Sequence, residues 1–289
     1  MRNFTLANGA KLPAIGLGTW DIDDSKVADV VVNALHLGYR HIDTAQGYHN
    51  ERGVGEGVRE GMRKFGISRD EIFVTTKLDA RHKDYAGAKE AIEASLKALN
   101  LGHIDLMLIH SPKPWDKFHG DERYFEGNLQ AWRALSQRVQ SGDIRAIGVS
   151  NFDEIDLANI ADNATVRPAV NQILAHIGNT PFELVQKCTD MGVVAQAYSP
   201  MAHGEIFRSR EIARIAAEMG VSVARLCIAY CLNLGMVVLP KSSDSTRMSE
   251  NLQSDIAINA SDLAVLRGLV FEDYGKSGIY PVFGKNYKG

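Results

Sequence analysis

The chain has 289 residues, a formal net charge of −3 at pH 7, 45% hydrophobic residues and 23% charged residues. This composition is typical of a globular protein with a substantial core, and it excludes the strongly basic surface that binds nucleic acids or anionic membranes. Although the length would allow two domains, we expect a single domain over residues 1–289, because barrels of alternating strands and helices often exceed roughly 200 residues.

The N-terminal residues and the cysteines bear on the cellular setting. The first residues contain no apolar stretch typical of a signal peptide, and no segment approaches the roughly 18 apolar residues of a membrane span. Cys188, Cys227 and Cys231 form no Cys-x-x-Cys pair, so we expect buried, reduced thiols and no metal. The prediction is a monomeric cytoplasmic protein without a membrane or nucleic-acid partner.

Strand-like and helix-like segments alternate along most of the chain. Residues 4–12, which contain Asn8-Gly9, predict a β-hairpin that closes one mouth of a barrel. Short apolar runs separated by helix-period segments predict repeated strand–helix units around a parallel sheet, and therefore an α/β fold. The eight predicted strands are residues 14–18, 41–45, 72–78, 104–110, 144–150, 169–173, 193–199 and 236–241.

Glycines mark the ends of several predicted helices. Segments 25–37, 51–65 and 182–191 are followed by Gly38, Gly66 and Gly192, and further helices cover 85–99 and end near Gly142. Extra helices are expected near the C-terminus, two within 211–234 and one over 261–270. The tail, residues 272–289, is expected to form a loop over the barrel rim.

Four polar side chains lie at or just after the ends of successive predicted strands: Asp43, Tyr48, Lys77 and His110. A closed barrel brings the C-terminal ends of all its strands to one rim, where residues distant in sequence meet. We therefore expect a carboxylate, a phenol, an ammonium and an imidazole to lie together. Such a set can polarise and protonate a carbonyl group.

The four groups suit carbonyl reduction, which needs a hydride source at carbon and a proton donor at oxygen. Tyr48 is the predicted donor, and a nearby Lys77 ammonium would lower the pKa of its phenol. Asp43 would keep Lys77 charged, and a neutral His110 would donate a hydrogen bond to the substrate oxygen.

Each of these residues also has another interpretation. Asp43 and Lys77 could form a structural ion pair, Tyr48 could cap its loop, and His41 and His110 could be structural histidines. Lys77 could form a Schiff base in a lyase, although a neighbouring carboxylate would keep the amine protonated. A metal hydrolase built on His41, Asp43 and His110 is a further alternative.

The segment after the eighth predicted strand has the features of a phosphate site. Lys241, Ser242 and Arg247 surround a predicted helix start, and helix N-termini bind anions. The loops after strands seven and eight are the usual phosphate site of such barrels, and an arginine binds phosphate with two hydrogen bonds. A solvated charged helix is the competing interpretation.

A glycine-rich run, residues 53–58, is similar to a dinucleotide-binding loop. Val58 stands where the third glycine of that fingerprint belongs, and the run lies within a predicted helix rather than after a strand. Any nicotinamide cofactor is therefore expected to bind without a Rossmann unit.

Motifs along nearly the whole chain resemble the aldo-keto reductase family. They are Gly38 to Ala45, Tyr48 with Asn50 and Glu51, Thr75 to Leu78, Ile104 to His110, Gly148 to Phe152, Asn171 with Gln172, and Pro240 to Ser242 with Arg247, Glu250 and Asn251. The resemblance implies a (β/α)8 TIM barrel that binds NADPH in an extended form and reduces carbonyl compounds, with the catalytic roles given above.

The same resemblance implies which residues hold the cofactor. Ser150, Asn151 and Gln172 would bind the nicotinamide carboxamide and Tyr198 would stack on its ring. Lys241, Ser242 and Arg247 would bind a 2′-phosphate, and the two positive charges favour NADPH over NADH. Glu250 and Asn251 would contact the adenine. The full set implied is Gly18, Thr19, Trp20, Asp43, Ser150, Asn151, Gln172, Tyr198, Ser199, Lys241, Ser242, Arg247, Glu250 and Asn251.

Within the family, the chain is similar to the bacterial group that includes the 2,5-diketo-D-gluconate reductases. Many relatives carry tryptophan directly after the catalytic histidine, whereas Ser111 stands there in this chain, and we expect it to widen and polarise the substrate pocket. The predicted substrate-binding residues are Trp20, Tyr48, His110 and Ser111, with Trp115, Phe118, Tyr274 and Tyr280 as further candidates. An NADPH-binding sensor with little turnover is the alternative function.

Overall fold

The computed structural model describes residues 2–271 and 273–284. Two short antiparallel strands, β1 (Asn3–Thr5) and β2 (Lys11–Pro13), form the predicted N-terminal hairpin. Eight parallel strands then follow one another in chain order around a sheet. They are β3 (Leu17–Gly18), β4 (His41–Asp43), β5 (Phe73–Leu78), β6 (Ile104–Ile109), β7 (Ile144–Ser150), β8 (Val170–Leu174), β9 (Val194–Tyr198) and β10 (Val237–Leu239).

The sheet closes into a barrel where its first and last strands meet. The amide of Gly16 donates to the carbonyl of Val238 at 2.9 Å, and the amide of Gly18 donates to the carbonyl of Pro240 at 3.0 Å. Strands β5 and β6 are buried along their whole length, as expected where helices cover the outside and side chains fill the interior. The predicted (β/α)8 barrel is confirmed.

Ten α-helices are found in the described residues, and most connect one strand to the next around the outside. They are α1 (Asp24–Leu37), α2 (Glu51–Phe65), α3 (Tyr85–Leu99), α4 (Phe125–Ser141), α5 (Glu154–Asn163), α6 (Phe182–Asp190), α7 (Arg210–Glu218), α8 (Val223–Asn233), α9 (Ser245–Leu252) and α10 (Ala260–Gly268). Helices α7, α8 and α10 confirm the extra helices predicted near the C-terminus.

The hairpin closes the end of the barrel at which the strands begin. Leu6 and Leu12 are buried and pack with Phe73, the first residue of β5, and with interior residues of several other strands. Because the hairpin occupies this end, a ligand enters at the opposite end, where the strands finish.

The glycine-rich run lies within α2, as predicted, and has a packing role. A Cβ atom added to Gly53 would lie 2.4 Å from the Asp24 carbonyl oxygen on α1. One added to Gly57 would lie 2.6 Å from the Ala28 carbonyl oxygen on the same helix. On Gly55 it would lie 2.0 Å from the carbonyl of Leu99, at the end of α3. These glycines therefore allow α2 to approach two neighbouring helices closely.

The C-terminal segment passes over the rim where the strands end. The amide of Phe271 donates to the carbonyl of Gly178, and the ring nitrogen Nε2 of His176 lies 3.1 Å from the Tyr274 hydroxyl. The rest of the predicted tail loop, Glu272 and residues 285–289, lies outside the described residues. Within those described, no single helix is long and apolar enough to cross a membrane, and only α7 and α8 taken together, bent by 86°, reach the required length and hydropathy.

Candidate active site

The ends of three successive strands bring the four predicted catalytic side chains together. Asp43 is the last residue of β4, Lys77 is the last but one of β5, and His110 directly follows β6. Tyr48 ends a short 3-10 turn, Gln46–Tyr48, that follows β4. The expected convergence of a carboxylate, a phenol, an ammonium and an imidazole is therefore present.

Lys77 lies at the centre of this group and is completely buried. Its Nζ donates to Asp43 Oδ1 at 2.5 Å, to the carbonyl oxygen of Thr44 at 2.9 Å and to the Tyr48 hydroxyl at 3.2 Å. Burial by itself lowers the pKa of Lys77, but Asp43 and Tyr48 more than compensate, and the pKa is raised overall. Lys77 is thus a fixed cation rather than a nucleophilic amine, which argues against the Schiff-base alternative.

The pKa of the Tyr48 phenol is set by opposing effects. Burial raises this pKa and is the largest effect, Lys77 lowers it, and Asp43 raises it. Lys77 lowers the pKa of Tyr48 as expected, but the net direction is upward. The reason is that the phenol is removed from water, a cost that the ammonium offsets only in part. At neutral pH Tyr48 therefore carries its proton.

His110 faces Tyr48 across the same space, with ring centroids 5.6 Å apart and planes at 73°. Burial, followed by the charge of Lys77, holds the pKa of His110 well below its usual value, so the imidazole is neutral. Its Nδ1 is buried and has no hydrogen-bond partner among the described residues. A neutral imidazole in this position can donate one hydrogen bond to a ligand.

A cavity of about 1510 Å³ opens above these side chains. Asp43, Tyr48 and His110 lie at its floor, and Trp20, Trp115 and Tyr280 form aromatic walls near them. Away from this floor the cavity extends to Lys241 and Arg247, which are exposed at the start of α9. The shape and charge suit an elongated ligand with an anionic group at one end.

The comparisons with known proteins agree with this geometry. A model of the Aldo/keto reductase family matches residues 14–270. The chain belongs to the aldo/keto reductase family. The resemblance drawn from its motifs is thereby confirmed.

Individual relatives are similar over most of their length. An uncharacterized oxidoreductase of Schizosaccharomyces pombe is 38% identical over 271 residues, covering 93% of this chain and 94% of the relative. The glyoxal reductase of Bacillus subtilis is 36% identical over 247 residues, covering 85% of this chain and 84% of the relative. A crystal structure of an aldo-keto reductase complexed with NADPH is 30% identical, with a TM-score of 0.86, and the match covers 99% of this chain and 93% of that one.

In this aldo/keto reductase, Asp43 links Lys77 to a buried amide. The Nε2 group of Gln172 donates to Asp43 Oδ2 and to the Gln196 side-chain oxygen, both at 2.8 Å. Because both N–H bonds of Gln172 are used, its own side-chain oxygen remains as an acceptor at the cavity wall. Gln196 was not predicted as a site residue, although it lies on β9, two residues before Tyr198.

Asn151 connects two other predicted cofactor residues, Ser150 and Tyr198, with His110. Its amide nitrogen donates to the carbonyl of His110 and to the Ser150 hydroxyl, both at 3.0 Å, and its amide oxygen accepts from Tyr198 at 2.7 Å. Asn151 has a φ of 61°, a conformation that asparagine tolerates better than most residues. These bonds place Tyr198 at the cavity wall.

The predicted phosphate site lies at the far end of the cavity, at the N-terminus of α9. Lys241, Ser242 and Arg247 all line it, and so do Glu250 and Asn251. The Asp244 side chain already accepts the Arg247 amide at 2.9 Å. The cationic side chains, rather than that backbone amide, are therefore left to bind a phosphate.

Two predicted contact residues are absent from the lining of the cavity as described. Thr19 is completely buried and its hydroxyl donates to the carbonyl of Asp43 at 2.9 Å, so it supports the end of β4. Ser111 is also completely buried, and its hydroxyl oxygen accepts the Lys113 amide at 3.3 Å. The Ser111 hydroxyl does not polarise the pocket, because its side chain turns into the loop. The expected widening of the pocket stays a prediction. The other predicted site residues that line the cavity are Gly18, Ser150, Asn151, Gln172, Tyr198 and Ser199.

Several residues of the cavity were not singled out from the sequence. Asp79, Arg81 and His49 line the cavity together with three of the four predicted catalytic residues, and His203 and Phe207 lie on the loop after β9. The strand-end argument that located Asp43 would also have found Asp79, which directly follows β5. Of the tentative pocket residues, Trp115 and Tyr280 line the cavity.

Proposed function

We propose that this protein reduces an aldehyde or ketone to the alcohol with NADPH, and that Tyr48 supplies the proton. The observation that carries the proposal is the Lys77 ammonium, which contacts both Asp43 and Tyr48 at the floor of the cavity. A buried ion pair alone would explain Asp43 and Lys77. It would not explain a phenol bonded to the same ammonium beside a neutral imidazole.

The residues of the cavity fit NADPH. Lys241 and Arg247 provide two positive charges for its 2′-phosphate, which NADH lacks. Tyr198 offers an aromatic face for the nicotinamide ring, and the side-chain oxygen of Gln172 is free to accept from the carboxamide. When bound, the cofactor supplies the hydride to the carbonyl carbon.

Tyr48 then neutralises the oxygen that becomes an alkoxide. Because burial raises the pKa of Tyr48, the phenol is protonated at neutral pH and can give its O–H proton to the oxygen. The phenolate left behind is stabilised by Lys77, whose positive charge Asp43 maintains. Solvent returns a proton to the phenolate before the next turnover.

His110 orients the substrate. Its pKa is held well below the usual value by burial, so it donates a hydrogen bond without transferring a full charge. The carbonyl oxygen would lie between this N–H and the Tyr48 hydroxyl, which fixes the face of the carbonyl presented to the hydride donor.

The test is Tyr48→Phe, which removes the proton donor and keeps the ring. We expect the rate of NADPH oxidation with a generic aldehyde to fall about 100-fold or more, while NADPH affinity, measured by fluorescence titration, stays within about twofold. Tyr85→Phe is the matched control, because the Tyr85 hydroxyl bonds to Gln137 on the outer helices. A wild-type rate in Tyr48→Phe would refute the role of Tyr48. If the wild-type protein binds NADPH but does not oxidise it with any carbonyl compound, the sensor alternative is favoured.

A further inference from the structure

The aromatic wall beside His110 comes from a residue further along the loop than the one directly after this histidine. Ser111, the next residue, is buried and turned away from the cavity. The ring that contacts His110 is that of Trp115, with centroids 5.2 Å apart and planes at 88°. Phe118 also lies close to Trp115, with centroids 5.6 Å apart and planes at 32°. Trp115 therefore reaches the catalytic histidine from the loop between β6 and α4.

The base of this loop is held by two polar side chains from other parts of the chain. Lys83, just before α3, donates to the carbonyl oxygen of Ser111 and to the Asn128 side-chain oxygen, both at 2.7 Å. Asn128, in the first turn of α4, is 1% exposed and donates to the carbonyl oxygen of Pro112 at 3.0 Å. We call this arrangement of Lys83 and Asn128 the loop clamp.

The loop clamp is costly, which indicates that it serves a purpose. Both acceptors of Lys83 are neutral, and burial lowers the pKa of its ammonium to about 7. A cation that is partly buried without a contacting carboxylate costs free energy to desolvate, and an apolar side chain would avoid that cost. Lys83 binds a backbone carbonyl one residue after His110, so the clamp fixes the point at which the loop leaves the catalytic site.

We propose that Lys83 and Asn128 are positioning residues that hold Trp115 against His110, and that Trp115 thereby selects carbonyl compounds that carry a flat ring. This proposal rests on the proposed carbonyl reduction at the same site. Aromatic faces favour planar substituents, and Trp20 with Tyr280, whose rings are 5.2 Å apart at 84°, forms a second wall of the same cavity. A ring attached to the reacting carbonyl would lie between these walls.

The first test removes the wall and compares two aldehydes, benzaldehyde and propanal, with NADPH. Trp115→Ala is expected to raise KM for benzaldehyde roughly tenfold, because a lost aromatic contact has about that effect on affinity. KM for propanal should rise much less than KM for benzaldehyde, and the dissociation constant of NADPH, measured by fluorescence, should change less than about twofold. Trp115→Phe, which keeps an aromatic ring, should restore most of the benzaldehyde preference.

The second test removes the clamp. Lys83→Met and Asn128→Ala should each raise KM for benzaldehyde severalfold more than KM for propanal, whereas Lys89→Met, which removes an exposed lysine of α3, should match the wild type. Because the clamp acts through Trp115, the double variant Lys83→Met/Trp115→Ala should be no worse for benzaldehyde than Trp115→Ala. Thermal unfolding checks that each variant is folded. If Lys83→Met does not fold, the result for Asn128→Ala tests the role of the clamp.

The outcomes separate this proposal from the proposed function. If the wild type reduces propanal but Trp115→Ala leaves both KM values unchanged, or raises them equally, the specificity role of Trp115 is overturned. Additive losses in the double variant would overturn the role of the clamp. If the wild type reduces neither aldehyde nor any other carbonyl, the proposed function itself fails.

Discussion

Lys77 shows how much one side chain can depend on its surroundings. A buried ion pair contributes little to stability, because the cost of removing both charges from water offsets their attraction. Here the ammonium has three oxygen partners, one of which is the phenol of Tyr48. The value of this arrangement is therefore chemical, since it holds a positive charge where a phenolate would form.

Lys241 and Arg247 carry the prediction about cofactor choice. Both line the far end of the cavity and are exposed, so alanine at both positions should leave the fold intact. The loss of two charges should raise the dissociation constant for NADPH by at least about tenfold and affect NADH much less, because only NADPH has a 2′-phosphate. Fluorescence titration with both nucleotides measures this, and replacing Arg63 and Lys64 on α2 with alanine is the control. Equal losses for both nucleotides would argue against a phosphate contact at this end.

Single residues also mark where prediction from the sequence reached its limit. The positions of Asp43, Lys77 and His110 followed from strand ends alone, because a parallel barrel has only one rim at which strands finish. The orientation of Ser111 did not, since loop conformation depends on contacts such as that of Lys83 with the Ser111 carbonyl.

At the level of elements, helix α2 shows that a glycine-rich motif can serve packing. Gly53, Gly57 and Gly61 recur at intervals of four residues and face α1, while Gly55 faces the end of α3. The sequence excluded a dinucleotide loop here because the run lay in a helical segment. The close approach to α1 and α3 was visible only in the structure. The alternation of strands and helices implied a helix between the fifth and sixth strands, and its bounds, Glu154–Asn163 in α5, came from the structure.

Gly55→Ala tests this packing. The added Cβ atom would lie 2.0 Å from the Leu99 carbonyl oxygen, and backbone atoms cannot yield as a flexible side chain can. We expect the variant to lose about 1 to 3 kcal/mol of unfolding free energy, with a lower Tm in thermal unfolding. Gly268→Ala, at the end of α10 with open space around it, is the control and should be neutral or slightly more stable. Equal stability of the two variants would show that α2 can move away from α3 at little cost.

For the whole molecule, the closed barrel explains both the core and the position of the cavity. The hairpin fills the end where strands begin, and the four predicted catalytic side chains lie where they finish. His41 lies within the barrel, completely buried, with Nε2 at 3.1 Å from the Thr75 hydroxyl and Nδ1 at 3.3 Å from the Pro13 carbonyl oxygen. The structure therefore favours the packing role of His41 over metal binding.

His41 also predicts how stability depends on pH. Burial lowers its pKa from 6.5 to about 4, so between these values the unfolded chain binds a proton that the folded protein does not. Stability must therefore fall as the pH is lowered through this range. When the pH is lowered from 6.5 to 5, the free energy of unfolding measured with urea should fall by roughly 1.5 kcal/mol more in the wild type than in His41→Asn. His119→Gln, in an exposed loop, should behave as the wild type does, and an unchanged pH dependence in His41→Asn would contradict the assignment.

Local patterns in the sequence were enough to predict the order of strands and helices, the barrel and the four residues at its rim. Alternating apolar runs, helix-ending glycines and residues at strand ends are local features that the fold preserves. Three features came only from the tertiary structure. Burial raises the pKa of Tyr48 by more than Lys77 lowers it, the Ser111 side chain turns away from the cavity, and Trp115 takes its place beside His110. These properties depend on burial and on contacts between distant segments, which no local pattern of residues contains.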